Sequence, residues 1–176
     1  MGTHGLRAGS DRTLWQRLAQ HRGTVGGSRP GSGNHRTSIF RLHVGEALIR
    51  RDGWSAEVAS SWAAKKPREG GRVLEYPLER EVSRYIGAMP FIWVEVPDDP
   101  GPESERGIIE RNSIALLSNL GREPVDSPSA TWLGNWAGRD VVRGSGLWNV
   151  NHVDDSPDPL FLDLLERRAV GSTTSA

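Results

Sequence analysis

Apolar positions in this chain recur mostly at helical spacing. In "SIFRLHVGEALIRRDG", Phe40, Val44, Ala47 and Leu48 fall on one stripe, Thr37 or Ser38 stands where an N-cap belongs, and Asp52-Gly53 closes the run, which predicts a helix. An earlier helix is predicted from a cap at Ser10 or Asp11 through His21, with Leu14, Trp15 and Leu18 as its apolar face. Glycines end it, and "GTVGGSRPGSGNHR" reads as a flexible loop. A third helix is expected to begin near Pro77, which suits a first helical turn, and to bury Leu78, Val82, Tyr85 and Ile86. A fourth spans about Glu103 to Asn119 with Ile109 and Leu116 on its stripe.

One segment breaks the helical period. "FIWVEV", after Pro90, is a short apolar run ended by "PDDPGP", the pattern of a strand covered on both faces. Trp54 and Trp62 are packing anchors, and "KKPREGGR" between them and the third helix is an exposed linker. Beyond residue 120 the chain is rich in Gly, Pro and Trp. It reads as loop until "DPLFLDLLERR" forms a terminal helix, and residues 171–176 are expected to be a disordered tail.

Composition narrows the class. At 176 residues and 36% hydrophobic, the chain is long enough for one domain with a core, here residues 1–170, and no apolar run approaches the length of about 20 residues that spans a membrane. The absence of cysteine excludes disulfides, thiolate metal sites and cysteine nucleophiles. Residues 1–12 offer no apolar core for a signal peptide, so the cytoplasm is the expected compartment. The net charge of zero conceals a division: residues 1–72 carry 13 Lys and Arg against 5 Asp and Glu, and residues 73–176 carry 9 against 17. A basic half suits a phosphate backbone, but the acidic half could equally be its intramolecular partner. Nearly all of that positive charge is arginine, whose fork suits bidentate phosphate contacts.

Taken in order, "RTLWQRLAQHRG", "NHRTSIFRLHVGEAL", "MPFIWVEV" and "SERGIIERNSIALLSN" resemble the GIY-YIG nuclease domain over roughly residues 5–120. The resemblance implies an α+β fold, a small antiparallel sheet flanked by helices, with residues from about 121 onward as a C-terminal extension. It also implies a metal-dependent endonuclease that cleaves DNA phosphodiester bonds with one Mg²⁺ or Mn²⁺. Arg17 matches the family's helical arginine, and His21, four residues on and so on the same helical face, matches the residue that often follows it. Glu110 matches the family's metal ligand; it directly follows Ile108 and Ile109, at the edge of the buried stripe. Asn119 is the nearest match to a late asparagine of the family, with Asn135 the alternative. The metal at Glu110 would polarise the phosphate, Arg17 would offset charge on its non-bridging oxygens, and His21 could orient the attacking water. Arg22, Arg36 and Arg41, with the glycine-rich loop, are the expected backbone contacts.

The family's two tyrosine-bearing strands precede its arginine helix, whereas this chain opens "MGTHGLRAGS". "GLRAG" resembles the end of the second strand, with His4 near its tyrosine. The fold is therefore expected to be N-terminally incomplete, either because the start codon is placed too late or because the chain is a degenerate relative. "RYIG", ending at Gly87, lies inside a helical pattern, so Tyr85 is core rather than catalytic. A non-catalytic nucleic-acid-binding module, and a protein-interaction domain docking through Trp132, Trp136 and Trp148, are the alternative functions. His152, Asp154 and Asp155 form a further acidic group with a metal-binding reading, set against an ordinary solvated loop.

Overall fold

The computed structural model describes residues 34–66, 69–90, 94–99 and 101–173. The described residues are helical, and they divide between two compact units.

The first unit contains α1 (Ile39–Asp52), α2 (Ala56–Ala63) and α3 (Gly71–Gly87), together with residues 136–138. The chain enters α1 through a 3-10 turn at His35–Thr37. Ser38 then accepts the Arg41 N–H, which supplies the cap, and Gly53 ends the helix at a φ of 68° that a residue with a side chain rarely adopts. Val44, Ala47 and Leu48 of α1, Val58 and Trp62 of α2, and Leu78, Val82 and Ile86 of α3 form the core, while Phe40 and Tyr85, expected on the same stripes, are half-buried. Burying each of the valine, leucine and isoleucine side chains contributes about 1.5–3 kcal/mol. Trp62 is the anchor. Its ring lies so close over Gly45 that a Cβ there would come within 2.1 Å of it, and its indole N–H donates to the Leu42 carbonyl at 3.1 Å.

α3 begins at Gly71 and carries Pro77 inside it, not in its first turn. Proline removes one backbone donor and leaves the carbonyl four residues earlier without its helical partner. Here that carbonyl belongs to Val73, which is 79% exposed, so water can serve it and the helix continues.

The second unit contains α4 (Glu105–Leu117), α5 (Asp140–Ser145) and α6 (Phe161–Thr173). α4 packs on α6, and Ala115, Leu133, Val142, Val153, Phe161 and Leu164 are buried. α4 lies within two residues of the helix that its periodicity predicts.

The expected α+β fold does not occur: the described residues contain no strand and hence no antiparallel sheet. In the segment expected as a strand covered on both faces, residues 91–93 lie outside the described residues. Val94 and Val96 are half-buried and Glu95 is exposed, the alternation of a strand, but the following backbone folds on itself, Asp98 N–H donating to the Val96 carbonyl at 3.0 Å. A strand exists only through a ladder partner, and none of the described residues pairs with this segment in a ladder. The predicted helix ending at His21 and the loop at 23–33 lie outside the described residues. Among those described, no helix is long and apolar enough to cross a membrane.

Candidate functional site

Glu110 stands on α4, whose start is fixed by Ser104. The Ser104 hydroxyl accepts the Gly107 N–H at 3.0 Å and donates to the Gly101 carbonyl at 2.6 Å, so the loop before the helix is tied to its first turn. Asn112 and Ala115 are the buried positions of α4, which leaves Glu110, two residues before Asn112, exposed at the flank of the packed face. Among the described residues its carboxylate has no hydrogen-bond or ion-pair partner. Next to it, the Arg111 guanidinium donates to the Pro102 carbonyl.

A loop from far along the chain completes the surroundings. Glu110, Arg111 and Ile114 of α4, with Gly101, Pro102 and Gly107, form one wall of a cleft of about 500 Å³. The other wall is Trp148, Asn149, Val150, Asn151 and His152. The Trp148 ring is braced against Trp132, with centroids 5.5 Å apart and planes tilted by 60°. Arg122 pins the loop by donating to the carbonyls of Ala115 (2.9 Å) and Asp155 (2.8 Å). Val153, at the centre of this stretch, is fully buried. Asn149, Asn151 and Trp148 carry no periodic signal, and sequence reasoning did not place them near Glu110; their local clue is the Asn-x-Asn-His run itself.

Asn119 is elsewhere. Its amide donates to the Asp126 carbonyl at 3.1 Å, its backbone N–H donates to Ser145, and it does not line the cleft. Asn135 likewise bonds locally, to the carbonyls of Ser129 and Ala130. Arg17, His21 and Arg22 lie outside the described residues.

Arg36 and Arg41 are held inside the first unit and are not presented to a polyanion. Arg36 meets Glu75 through both terminal nitrogens, at 2.6 and 2.7 Å, and also donates to the Ser61 and Ala64 carbonyls. Arg41 is fully buried, its guanidinium on Glu79 at 2.5 Å and on the Ser83 hydroxyl at 3.0 Å. Glu79 also accepts the His35 backbone N–H and faces His35 Nδ1, each at 2.8 Å, while the His35 ring stacks on Trp62 with centroids 3.7 Å apart. Burial pushes the Glu79 carboxyl up, but the bonds from His35 and Arg41 and the Arg41 charge outweigh it and hold it below the usual carboxylate range. Glu75 is lowered in the same way: burial opposes, and Arg36, Ser61 and the nearby His35 prevail. A charge drawn so far from water needs this complete a set of partners. The expected contacts of Arg36 and Arg41 to a nucleic-acid backbone thus give way to two buried ion pairs.

The residues at the cleft fit a hard divalent cation held by one protein carboxylate. Mg²⁺ takes oxygen ligands and commonly keeps several waters, binding through one or two carboxylates plus substrate phosphate. Glu110 offers a carboxylate with no competing partner among the described residues, on the wall of the cleft. No group of three or more His, Asp or Glu side chains gathers as a cage among the described residues.

A family model described as the GIY-YIG domain matches residues 1–175. No curated protein and no solved structure matches the chain.

Proposed function

The chain belongs to the GIY-YIG domain family, and from that membership we propose that it is a metal-dependent endonuclease hydrolysing phosphodiester bonds in DNA. One observation supports the reading within the structure: Glu110, the residue matching the family's metal ligand, is a carboxylate on the wall of a cleft with no partner among the described residues. Glu110 would hold Mg²⁺ or Mn²⁺, which supplies Lewis acidity at the scissile phosphate and at the departing oxygen. Arg17 offsets charge that develops on the non-bridging oxygens, an interaction strongest in the transition state. His21 orients the attacking water. Arg22 grips the backbone without reading sequence. Asn149, Asn151 and Trp148, which line the cleft, would supply the amide and aromatic contacts to sugar and base.

Plasmid nicking with Mg²⁺ or Mn²⁺, run beside a DNA-binding titration, tests this. Glu110→Gln keeps the size and hydrogen-bonding reach of the side chain and removes the charge that holds the metal. Nicking falls about 100-fold or more while affinity is unchanged or slightly higher, because a negative charge near the phosphates is gone. Arg17→Ala weakens both. If Glu110→Gln nicks at the parental rate, Glu110 is not the ligand. If the parent binds DNA steeply with salt but never nicks it, the chain is a non-catalytic nucleic-acid-binding module.

A further inference from the structure

The cleft beside Glu110 contains a second chemical element that the family match does not assign. His152 lies on its wall, and its Nδ1 is 2.7 Å from the Asp155 carboxylate. A carboxylate only accepts, so Nδ1 carries the hydrogen, which leaves Nε2 as the nitrogen whose lone pair the ring offers in its neutral form. Among the described residues Nε2 has no partner, and the side chain is 45% exposed.

The dyad is held in place. His152 is the one residue other than glycine with positive φ among the described residues, at 61°. A side chain in the left-handed region is costly, and it persists where the surroundings over-determine it. They do so here: Val153 is buried next to it, Arg122 grips the Asp155 carbonyl, and Asn112 of α4 accepts the Asp158 N–H at 2.7 Å. The histidine is thereby clamped to the helix that carries Glu110.

We propose that His152 is the general base of the cleft, oriented by Asp155, and that it activates water for attack on a nucleic-acid phosphodiester at Glu110. The proposal rests on the nuclease reading above. A cation of the Mg²⁺ type prefers oxygen and leaves the imidazole nitrogen free for a proton. In the step, the water oxygen bonds to phosphorus as the bond from phosphorus to the sugar oxygen breaks. The water proton passes to Nε2, and the departing sugar oxygen takes a proton from solvent. His152 then releases its proton to solvent, and a phosphomonoester and an alcohol leave. Asp155 is a positioning residue, which fixes the tautomer without touching the substrate.

The test uses the full chain in the plasmid-nicking assay. His152→Gly suits the left-handed backbone, so it removes the imidazole without straining the turn and leaves a space that free imidazole can enter. Nicking is expected to fall about 100-fold or more, with DNA affinity and melting temperature kept, and added imidazole is expected to restore at least tenfold of it. Asp155→Asn is expected to lose about tenfold, and Asp154→Asn, on the exposed neighbour, to change nothing. Nitrogen-15 NMR of the ring supplies a readout apart from activity: the Nδ1–H tautomer in the parent, disturbed in Asp155→Asn. Parental nicking by His152→Gly, loss without imidazole rescue, or an Nε2–H tautomer overturns the base assignment while Glu110→Gln remains dead. A parent that does not nick at all overturns the nuclease reading and this role with it.

Discussion

The Asn112 side chain joins Asp158 to the middle of α4: its Oδ1 accepts the Asp158 N–H at 2.7 Å, and its Nδ2 donates to the Ile108 carbonyl at 2.8 Å. An asparagine can do both because its amide carries an acceptor and a donor side by side. One buried residue therefore ties the loop that ends the cleft to the helix that begins it, two positions after Glu110.

Asn112→Leu fills the space but leaves the Asp158 N–H without its acceptor, at an expected cost of about 1–2 kcal/mol. Asn112→Asp keeps the acceptor and sets a carboxylate oxygen against the Ile108 carbonyl, so it is expected to destabilise as well, and less at low pH where the oxygen is protonated. Urea unfolding of the three proteins measures both. Equal midpoints would show that the loop is held by Arg122 and Val153 alone.

In the first unit the charge pairs are the sensitive feature. Glu79→Ala strands Arg41 in the interior and removes the acceptor of His35, so a loss of about 3–5 kcal/mol is expected. Replacing the pair together, Arg41→Met with Glu79→Leu, removes the uncompensated charge and is expected to recover a large part of that loss. Thermal melting compares them. A double variant no better than Glu79→Ala would mean that His35, not Arg41, sets the requirement for the carboxylate.

The same carboxylates give the stability a pH dependence whose sign is fixed. Glu75 and Glu79 are held below the usual range in the folded chain, so the unfolded chain binds protons more readily at acid pH. Their contribution is complete above the ordinary glutamate value of about 4.3 and is lost as pH falls from there through the lowered folded values. Denaturant midpoints measured from pH 6 downward are expected to drop steeply below about pH 4. Glu75→Gln should flatten part of that drop, and a profile with unchanged slope would show that other groups titrate instead.

What the sequence discloses depends on how local the cause is. α1 is legible because Ser38, the stripe through Val44 and Leu48, and Gly53 are all signals within one segment. α4 and its glutamate are legible for the same reason. The start of α3 is not, because Pro77 restricts itself to a first turn only where the carbonyl four residues earlier would be left without a partner, and the exposure of Val73 lets water serve that carbonyl. The strand fails because pairing is a property of two segments, of which "FIWVEV" is only one. The walls of the cleft fail similarly: nothing near Glu110 announces Asn149, Asn151 or His152. The charge division had two readings, and at Arg36 and Arg41 the intramolecular one holds, since their carboxylate partners come from the acidic half.

That outcome bears on how DNA binding should respond to salt. Each phosphate neutralised by a lysine or arginine adds about 0.9 to the slope of log affinity against log salt on duplex DNA, through release of a counterion. An arginine already paired with a buried glutamate releases none. Arg22→Ala is therefore expected to lower the slope by about one, as a backbone contact should. Arg36→Gln is expected to leave the slope unchanged and to lower the melting temperature, because its guanidinium serves Glu75 and the carbonyls of Ser61 and Ala64. Titrations of fluorescent duplex at several salt concentrations, paired with a melt of each variant, separate the two kinds of arginine. A slope that falls by one in a fully folded Arg36→Gln protein would show that this guanidinium leaves Glu75 for a phosphate when DNA arrives, and the buried pair would then be a resting state of the binding surface.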